Sequence, residues 1–396
     1  MKKKLIKNNK ITVAFAGGGT GGHIYPGLAI ADELKKICEE KNIDINLIWL
    51  GSSKGMDRKI VENSLNMNSQ LSVNQFYGIP SGKLRRYFSF KNFTDIFKII
   101  GGCIASFFVL IKNKPVVLFS KGGFVSVPPC FAAKLLKIPV CTHECDFTPG
   151  LATKINSRFA SKILLSYEET KVFISSDLIN KTVVTGNPVR PVFYSTDSKI
   201  GKDFVNFNYS KKSKPVLFVM GGSLGAKQIN DLVFENIEWI CEKFYVVHQT
   251  GDKHQKDFES IPDSIKSSYR QFPFIYEQMP HVIDYADVIL SRAGANSLWE
   301  CTVLKKPMIL VPLCGSGTRG DQVDNADFFE KKGAAIVLQG EYANSNSLKN
   351  ALSSMLDVKK RKLFSGACKE MLPKERSAFI IASLIFNDYI LTELEK

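Results

Sequence analysis

Three apolar runs in this chain each break into a glycine-rich turn and then into a helix-forming stretch. The first, Val13-Ala14-Phe15-Ala16, meets Gly17-Gly18-Gly19-Thr20-Gly21-Gly22-His23. The second, Val216-Leu217-Phe218-Val219-Met220, meets Gly221-Gly222-Ser223-Leu224-Gly225-Ala226. The third, Val288-Ile289-Leu290, meets Ser291-Arg292-Ala293-Gly294-Ala295-Asn296-Ser297. A buried strand that turns at once into a helix belongs to an alternating α/β layer. Glycine lets the backbone approach a ligand closely, and the helix that follows offers unpaired N–H groups and a partial positive charge. One such turn is weak evidence. Turns of this kind in both halves of the chain predict two anion-binding faces meeting across a cleft.

The remaining pattern repeats the same alternation. Strands are expected at Ile11–Ala16, Asn46–Leu50, Val116–Phe119, Pro139–Thr142, Lys162–Leu165 and Thr182–Val184. A second series is expected at Pro215–Met220, Phe244–Gln249, Arg270–Phe272, Val288–Leu290, Met308–Val311 and Ala335–Leu338. Helices fill the gaps, among them Pro26–Glu40, Phe131–Leu136, Ile229–Glu242, Ser297–Thr302 and Asp321–Lys332. At 396 residues the chain is too long for one ordinary domain, so the expectation is two doubly wound, parallel-sheet α/β domains. The seam falls at Gly186-Asn187-Pro188-Val189-Arg190-Pro191, followed by the polar stretch Ser195–Lys214. Arg376–Glu395 reads as an amphipathic helix that either domain could take.

Charge narrows the ligand class. With 53 Lys and Arg against 38 Asp and Glu, the formal charge is +15. An anionic partner follows: nucleic acid, an anionic membrane surface or a phosphorylated ligand. No nucleic-acid-binding motif accompanies the charge, which disfavours the first. The region Gly78–Phe97 sets Ile79, Leu84, Tyr87, Phe88, Phe90, Phe93 and Phe97 among Lys83, Arg85, Arg86 and Lys91. Such interleaving suits a membrane surface, and the competing reading is an amphipathic segment covering the core. The apolar run Ile99–Ile111 is shorter than the ~20 residues a spanning helix needs, and it contains Gly101-Gly102. A buried or interfacial helix is expected there. The basic segment Met1–Lys10 leads into a strand, so no secretion signal is expected. Nine cysteines lack Cys-x-x-Cys spacing, which favours a reducing cytosolic setting over a disulfide framework. Cys141-Thr142-His143-Glu144-Cys145 matches no common zinc spacing, and no metal site is expected.

Two nucleotide-binding readings of the first turn fail. Gly17-x-Gly19-x-x-Gly22 satisfies the dinucleotide fingerprint, but the second strand ends in Trp49-Leu50-Gly51-Ser52 without the acidic residue that reads a ribose. Gly22 is followed by His23-Ile24, so the Lys-Ser/Thr of a P-loop is missing too. A phosphate-cradling turn ending in a histidine remains.

Gly18-Gly19-Thr20-Gly21-Gly22-His23-Ile24-Tyr25-Pro26-Gly27 resembles the N-terminal signature of the undecaprenyl-diphospho-muramoylpentapeptide β-N-acetylglucosaminyltransferases, which convert lipid I to lipid II in peptidoglycan synthesis. The resemblance continues, in order, through Gly122-Gly123-Phe124-Val125-Ser126, His143-Glu144, Gly186-Asn187-Pro188-Val189-Arg190 and Gly221-Gly222-Ser223-Leu224-Gly225-Ala226. It ends with Arg292-Ala293-Gly294-Ala295 and Gln322-Val323-Asp324-Asn325-Ala326. The ordered set covers nearly the whole chain and is far more specific than any one motif.

The resemblance implies a GT-B fold, with residues 1–189 facing acceptor and membrane, joined by a C-terminal helix at 374–396, and residues 190–373 binding the donor. It implies inverting, cofactor-free transfer of N-acetylglucosamine from UDP-N-acetylglucosamine to the muramoyl C4 hydroxyl of lipid I. The place implied is the cytoplasmic face of the cell membrane, with the enzyme peripheral to it. No Asp-x-Asp motif of metal-dependent glycosyltransferases occurs, consistent with a metal-independent reaction.

By position, Glu300 is expected on the ribose hydroxyls, and Phe274 with Ile275 on the uracil; plain core packing competes for those two. Ser223, Leu224, Ala295, Asn296 and Ser297 are expected to face the donor diphosphate, Arg190 to lie over the nucleotide, and Asp321 and Gln322 to face the sugar. Thr20, Gly21, Gly22 and Asp146 complete the donor set, while Gly18, Gly19, Gly21, Gly22 and His23 are expected to meet the acceptor's diphosphate. His23 is the first candidate for the base, with Asp146 and Glu144 as rivals. Membrane contact is expected from Ile79, Leu84, Arg85, Arg86, Phe88 and Phe90. Two departures stand out: His143-Glu144-Cys145-Asp146 replaces His-Glu-Gln-Asn, and Asp321-Gln322 replaces a glutamine pair.

Overall fold

A computed structural model describes residues 10–82, 90–207, 214–222, 225–252, 262–315 and 318–396. The chain divides into two compact units, one running through Pro191 and taking back Pro373–Lys396, the other comprising Val192–Leu372.

The first unit is built on a parallel sheet of 7 strands in the order β3-β2-β1-β4-β5-β6-β7. The strands are β1 (Ile11–Ala16), β2 (Ile45–Ser52), β3 (Gln75–Ile79), β4 (Val117–Ser120), β5 (Val140–Glu144), β6 (Lys162–Leu165) and β7 (Thr182–Val184). Helices cover both faces, so β1, β4 and β6 read as continuous apolar runs instead of alternating ones. Trp49 on β2 stacks on Phe15 of β1 at 5.8 Å between ring centroids, and its indole N–H donates to the Gly17 carbonyl at 3.0 Å. One side chain thereby packs the core and pins the first glycine-rich turn. The helix Tyr25–Glu40 reaches the same ring because Gly27 carries no side chain: a Cβ there would lie 2.6 Å from the Trp49 ring. The C-terminal helix Ser377–Ile385 packs on Tyr25–Glu40, burying Ala378, Ile381, Ala382 and Ile385.

The second unit repeats the plan with 6 parallel strands in the order β10-β9-β8-β11-β12-β13. These are β8 (Val216–Met220), β9 (Tyr245–Gln249), β10 (Tyr269–Phe272), β11 (Val288–Ser291), β12 (Met308–Leu310) and β13 (Ala335–Val337).

Several expectations are corrected. The edge strand β3 carries Gly78 and follows a turn-rich segment, and sequence reading missed it. Ile79, expected at the membrane, ends that strand and is 1% exposed in the core. The apolar run at Ile99–Ile111 belongs to a longer helix, Phe90–Asn113. Its stretch Thr94–Asn113 and the C-terminal Ser377–Leu394 are long and apolar enough to cross a membrane by length and composition. The first exposes much of its surface, whereas the second packs one face into the core. Ser198–Val205, inside the expected polar linker, is a helix that Asp197 caps by accepting from the Lys199 N–H. The helix expected at Ile229–Glu242 is two, broken at Asn236.

Candidate functional site

In an open parallel sheet, ligands meet the carboxyl ends of strands where the strand order reverses. In the first sheet that point lies between β1 and β4. The first glycine-rich turn leaves β1, and Lys121-Gly122-Gly123 leaves β4 beside it. Gly19 has φ +83° and Gly123 φ +76°, values that side-chain-bearing residues rarely adopt. A Cβ on Gly123 would sit 2.8 Å from the His23 ring, so this glycine is the seat on which the imidazole lies. His23 Nδ1 is 3.3 Å from the Lys121 carbonyl. A carbonyl only accepts, so Nδ1 carries the proton, and in the neutral ring the lone pair is on Nε2.

Buried charges brace these turns. Asp57 accepts the Gly19 N–H with both oxygens at 3.0 Å and the Ser52 N–H at 2.8 Å. Its burial raises its affinity for a proton, opposed by those N–H donors. The Gly19 N–H is therefore committed inward, and Gly19 shapes the turn without presenting that donor to a ligand. Glu144, 4% exposed, accepts N–H groups from Cys145, Asp146 and Gly150 at 2.8, 3.0 and 2.9 Å. It organises the loop that presents Asp146. His143 donates from Nε2 to the Gly186 carbonyl at 3.0 Å. Burial first, and the Lys121 charge second, hold its pKa well below the ordinary histidine value. Cys141 points its thiol at Tyr389, and burial pushes that thiol up to about 12.

In the second sheet the reversal lies between β8 and β11, and the other two glycine-rich turns leave those strands. Ser223 and Leu224 lie outside the described residues, as do Leu84, Arg85, Arg86 and Phe88 of the expected membrane segment. Gln249, at the end of β9, donates to the Gly222 carbonyl at 3.2 Å and accepts the Ile275 N–H at 2.9 Å. Phe274 is half-buried against Tyr276, with ring centroids 4.4 Å apart, while Ile275 is in the core. The Ile275 N–H is spent on Gln249, which leaves its carbonyl as the group able to read a base.

Helix Ala295–Val303 starts at Gly294 with no side-chain cap, and a Cβ on Gly294 would meet open space. Its first N–H groups have no intrahelical partner. Asn296 and Ser297 lie in that first turn, and Glu300 is half-buried on the same helix. Arg292 is anchored through Gln228 and the carbonyls of Val311 and Pro312 at 2.8, 2.9 and 3.3 Å. Gln322 accepts the Leu313 N–H at 3.0 Å. Asp321, one of the two departures, pairs with Arg319 at 3.2 Å, so its charge has a local partner. Arg190 lies in the first unit, its guanidinium 5.0 Å from the centre of the Tyr25 ring.

The structure thus gathers Thr20, Gly21, Gly22, His23 and Asp146 at the carboxyl ends of the strands of one sheet. It gathers Phe274, Ile275, Ala295, Asn296, Ser297, Glu300, Asp321 and Gln322 at the carboxyl ends of the strands of the other. Sequence reasoning missed Asp57, Lys121 and Gln249, which hold the turns from distant positions.

Residues 13–165 match the glycosyltransferase family 28 N-terminal domain, and residues 216–378 match its C-terminal domain. The chain is 53% identical over 336 residues to a Treponema denticola protein named UDP-N-acetylglucosamine–N-acetylmuramyl-(pentapeptide) pyrophosphoryl-undecaprenol N-acetylglucosamine transferase, covering 83% of this chain and 84% of that one. A Treponema pallidum protein of the same name is 40% identical, over 93% of this chain and 91% of its own length. Among solved structures, Acinetobacter baumannii MurG superposes with a TM-score of 0.69 at 23% identity, over 96% of this chain and all 100% of that one. That likeness is one of fold.

Proposed function

The chain belongs to glycosyltransferase family 28, and we propose that it transfers N-acetylglucosamine from UDP-N-acetylglucosamine to lipid I, giving lipid II and UDP. The observation that carries this reading is the pair of glycine-rich, phosphate-adapted turns at the strand-order reversal of each sheet, in a chain whose relatives bear that activity in their names. The second unit takes the donor. Glu300 accepts from the ribose hydroxyls, the Ile275 carbonyl reads the uracil edge, and the uncapped start of helix Ala295–Val303 faces the diphosphate. As the bond to the anomeric carbon breaks, negative charge grows on the β-phosphate, and preorganised N–H groups stabilise it there.

The first unit takes the acceptor. The C4 hydroxyl attacks the anomeric carbon, its proton passes to His23 Nε2, and UDP departs with inversion. Support for His23 comes from the Lys121 carbonyl, which fixes the tautomer a base needs. Glu144 is occupied by backbone N–H groups and drops out of the candidates; Asp146 remains the alternative base.

The acceptor lipid places the enzyme at the cytoplasmic membrane surface, where it docks peripherally. Helix Phe90–Asn113 supports this. Ser106 and Leu110 are buried, while Phe97, Ile100, Ile104, Phe108 and Ile111 form an exposed apolar stripe at helical spacing. Phe131 and Leu135 of the neighbouring helix are exposed as well.

The test supplies radiolabelled UDP-N-acetylglucosamine and a short-chain lipid I analogue in excess EDTA. Labelled disaccharide lipid is expected, at a rate EDTA does not change. An active preparation that gives no labelled lipid sinks the reading.

A further inference from the structure

Lys121 follows the last residue of β4 and is 1% exposed. Its Nζ is buried and meets no hydrogen-bond acceptor among the described residues. Its backbone is fixed on both sides, the N–H donating to the Ala16 carbonyl at 2.9 Å and the carbonyl receiving His23 Nδ1. Its Cβ lies 3.4 Å from where a side chain on Gly17 would begin, and its charge is felt at His143 on β5. The side chain therefore starts beside the first glycine-rich turn and carries its charge toward β5, near the ends of β1, β4 and β5. The nearby carboxylates are taken: Asp57 serves Gly19 and Ser52, and Glu144 serves the loop after β5. The other orphaned groups on β5 and beside Ser120, His143 Nδ1, Thr142 Oγ1 and Asn156 Oδ1, carry no negative charge.

A buried ammonium without a counter-charge is costly, and chains keep one where a ligand supplies the missing anion. Glycine backbone at Gly17 lies against the root of this side chain, and the His23 ring rests on Gly123 beside it. We propose that Lys121 is an electrostatic positioning residue whose charge acts across the glycine turn on the diphosphate of the acceptor. This rests on the assignment of the first turn to the acceptor.

The experiment compares Lys121→Met and Lys121→Gln with the unaltered chain. Both variants should raise the acceptor KM on the order of 10- to 100-fold and leave the donor KM within about 2-fold. Their Tm should hold or rise, because an uncompensated buried charge has gone. Inorganic pyrophosphate should raise the Tm of the unaltered chain more than that of either variant, a readout that needs no turnover. Its competition with acceptor should weaken in both variants, while any competition with donor should not. An unchanged acceptor KM, an equal rise in donor KM, or unfolding of both variants overturns the proposal, since each makes Lys121 structural or assigns it to the donor. Failure of the unaltered chain to transfer sugar would sink the functional reading instead, and the pyrophosphate shift would still decide the role of Lys121.

Discussion

Gly19 is gripped by the carboxylate of Asp57, whereas Gly222 is gripped by the amide of Gln249. The contrast runs through both units. Around the first sheet, the ligand-facing loops are braced by the carboxylates of Asp57 and Glu144, with the buried Lys121 adding its charge nearby. Around the second, neutral amides brace the turns, beside the Arg292 guanidinium on the Val311 and Pro312 carbonyls. Asn230 donates to the Thr250 carbonyl, Asn325 donates to the Ala293 carbonyl, and Gln322 accepts from Leu313. Neutral braces hold geometry without adding a field. Charged braces do both, so on the proposed assignment the first unit's scaffold would also set the electrostatics felt by the acceptor and the base. This division fits the proposed chemistry. The donor needs a preformed seat for a nucleotide, while the acceptor needs a proton removed beside a diphosphate.

The largest expected effect tests the charged side. His23→Ala should lower kcat on the order of 10²–10⁴-fold in steady-state transfer assays. A rise in acceptor KM alone would make His23 a diphosphate ligand and leave Asp146 as the base. On the neutral side, Gln249→Ala frees the Gly222 carbonyl and strands the buried Ile275 N–H. The donor KM should rise on the order of 10- to 100-fold, with the acceptor KM unmoved. An equal change in both constants would erase the contrast.

How far these two sides were legible in the sequence follows from distance along the chain. The apolar runs that became β1, β8 and β11 were plain, because strands buried on both faces leave uninterrupted hydrophobic stretches. The glycine turns were plain because the residue type is itself the chemistry. The braces were not. Asp57 lies 38 residues from Gly19, and Gln249 lies 27 from Gly222 and 26 from Ile275, so no local spacing links them. Glu144 illustrates the reverse: its motif was visible, but only the three N–H groups around it distinguish a loop brace from a base. β3 was hidden because an edge strand with a glycine buries too little to leave a clear run.

A smaller effect concerns the cost of buried charge in the first unit. Asp32, on helix Tyr25–Glu40, has its carboxyl pushed up to about 6 by burial, against an ordinary 3.8. Because the folded value is raised, its contribution to stability is full below pH 3.8 and is lost as pH rises through about 6. Asp32→Asn should therefore raise stability at pH 8 by about 1–2 kcal/mol and have little effect at pH 4, read as Tm in thermal melts. A gain that is the same at both values would mean that the charge is not what costs stability there.

The division of labour between the units is tested most directly by titrating UDP into Glu300→Ala and His23→Ala by calorimetry. Glu300→Ala should bind UDP on the order of 10- to 100-fold more weakly, and His23→Ala as tightly as the unaltered chain. Unchanged UDP affinity in Glu300→Ala, or a comparable loss in His23→Ala, would contradict the account.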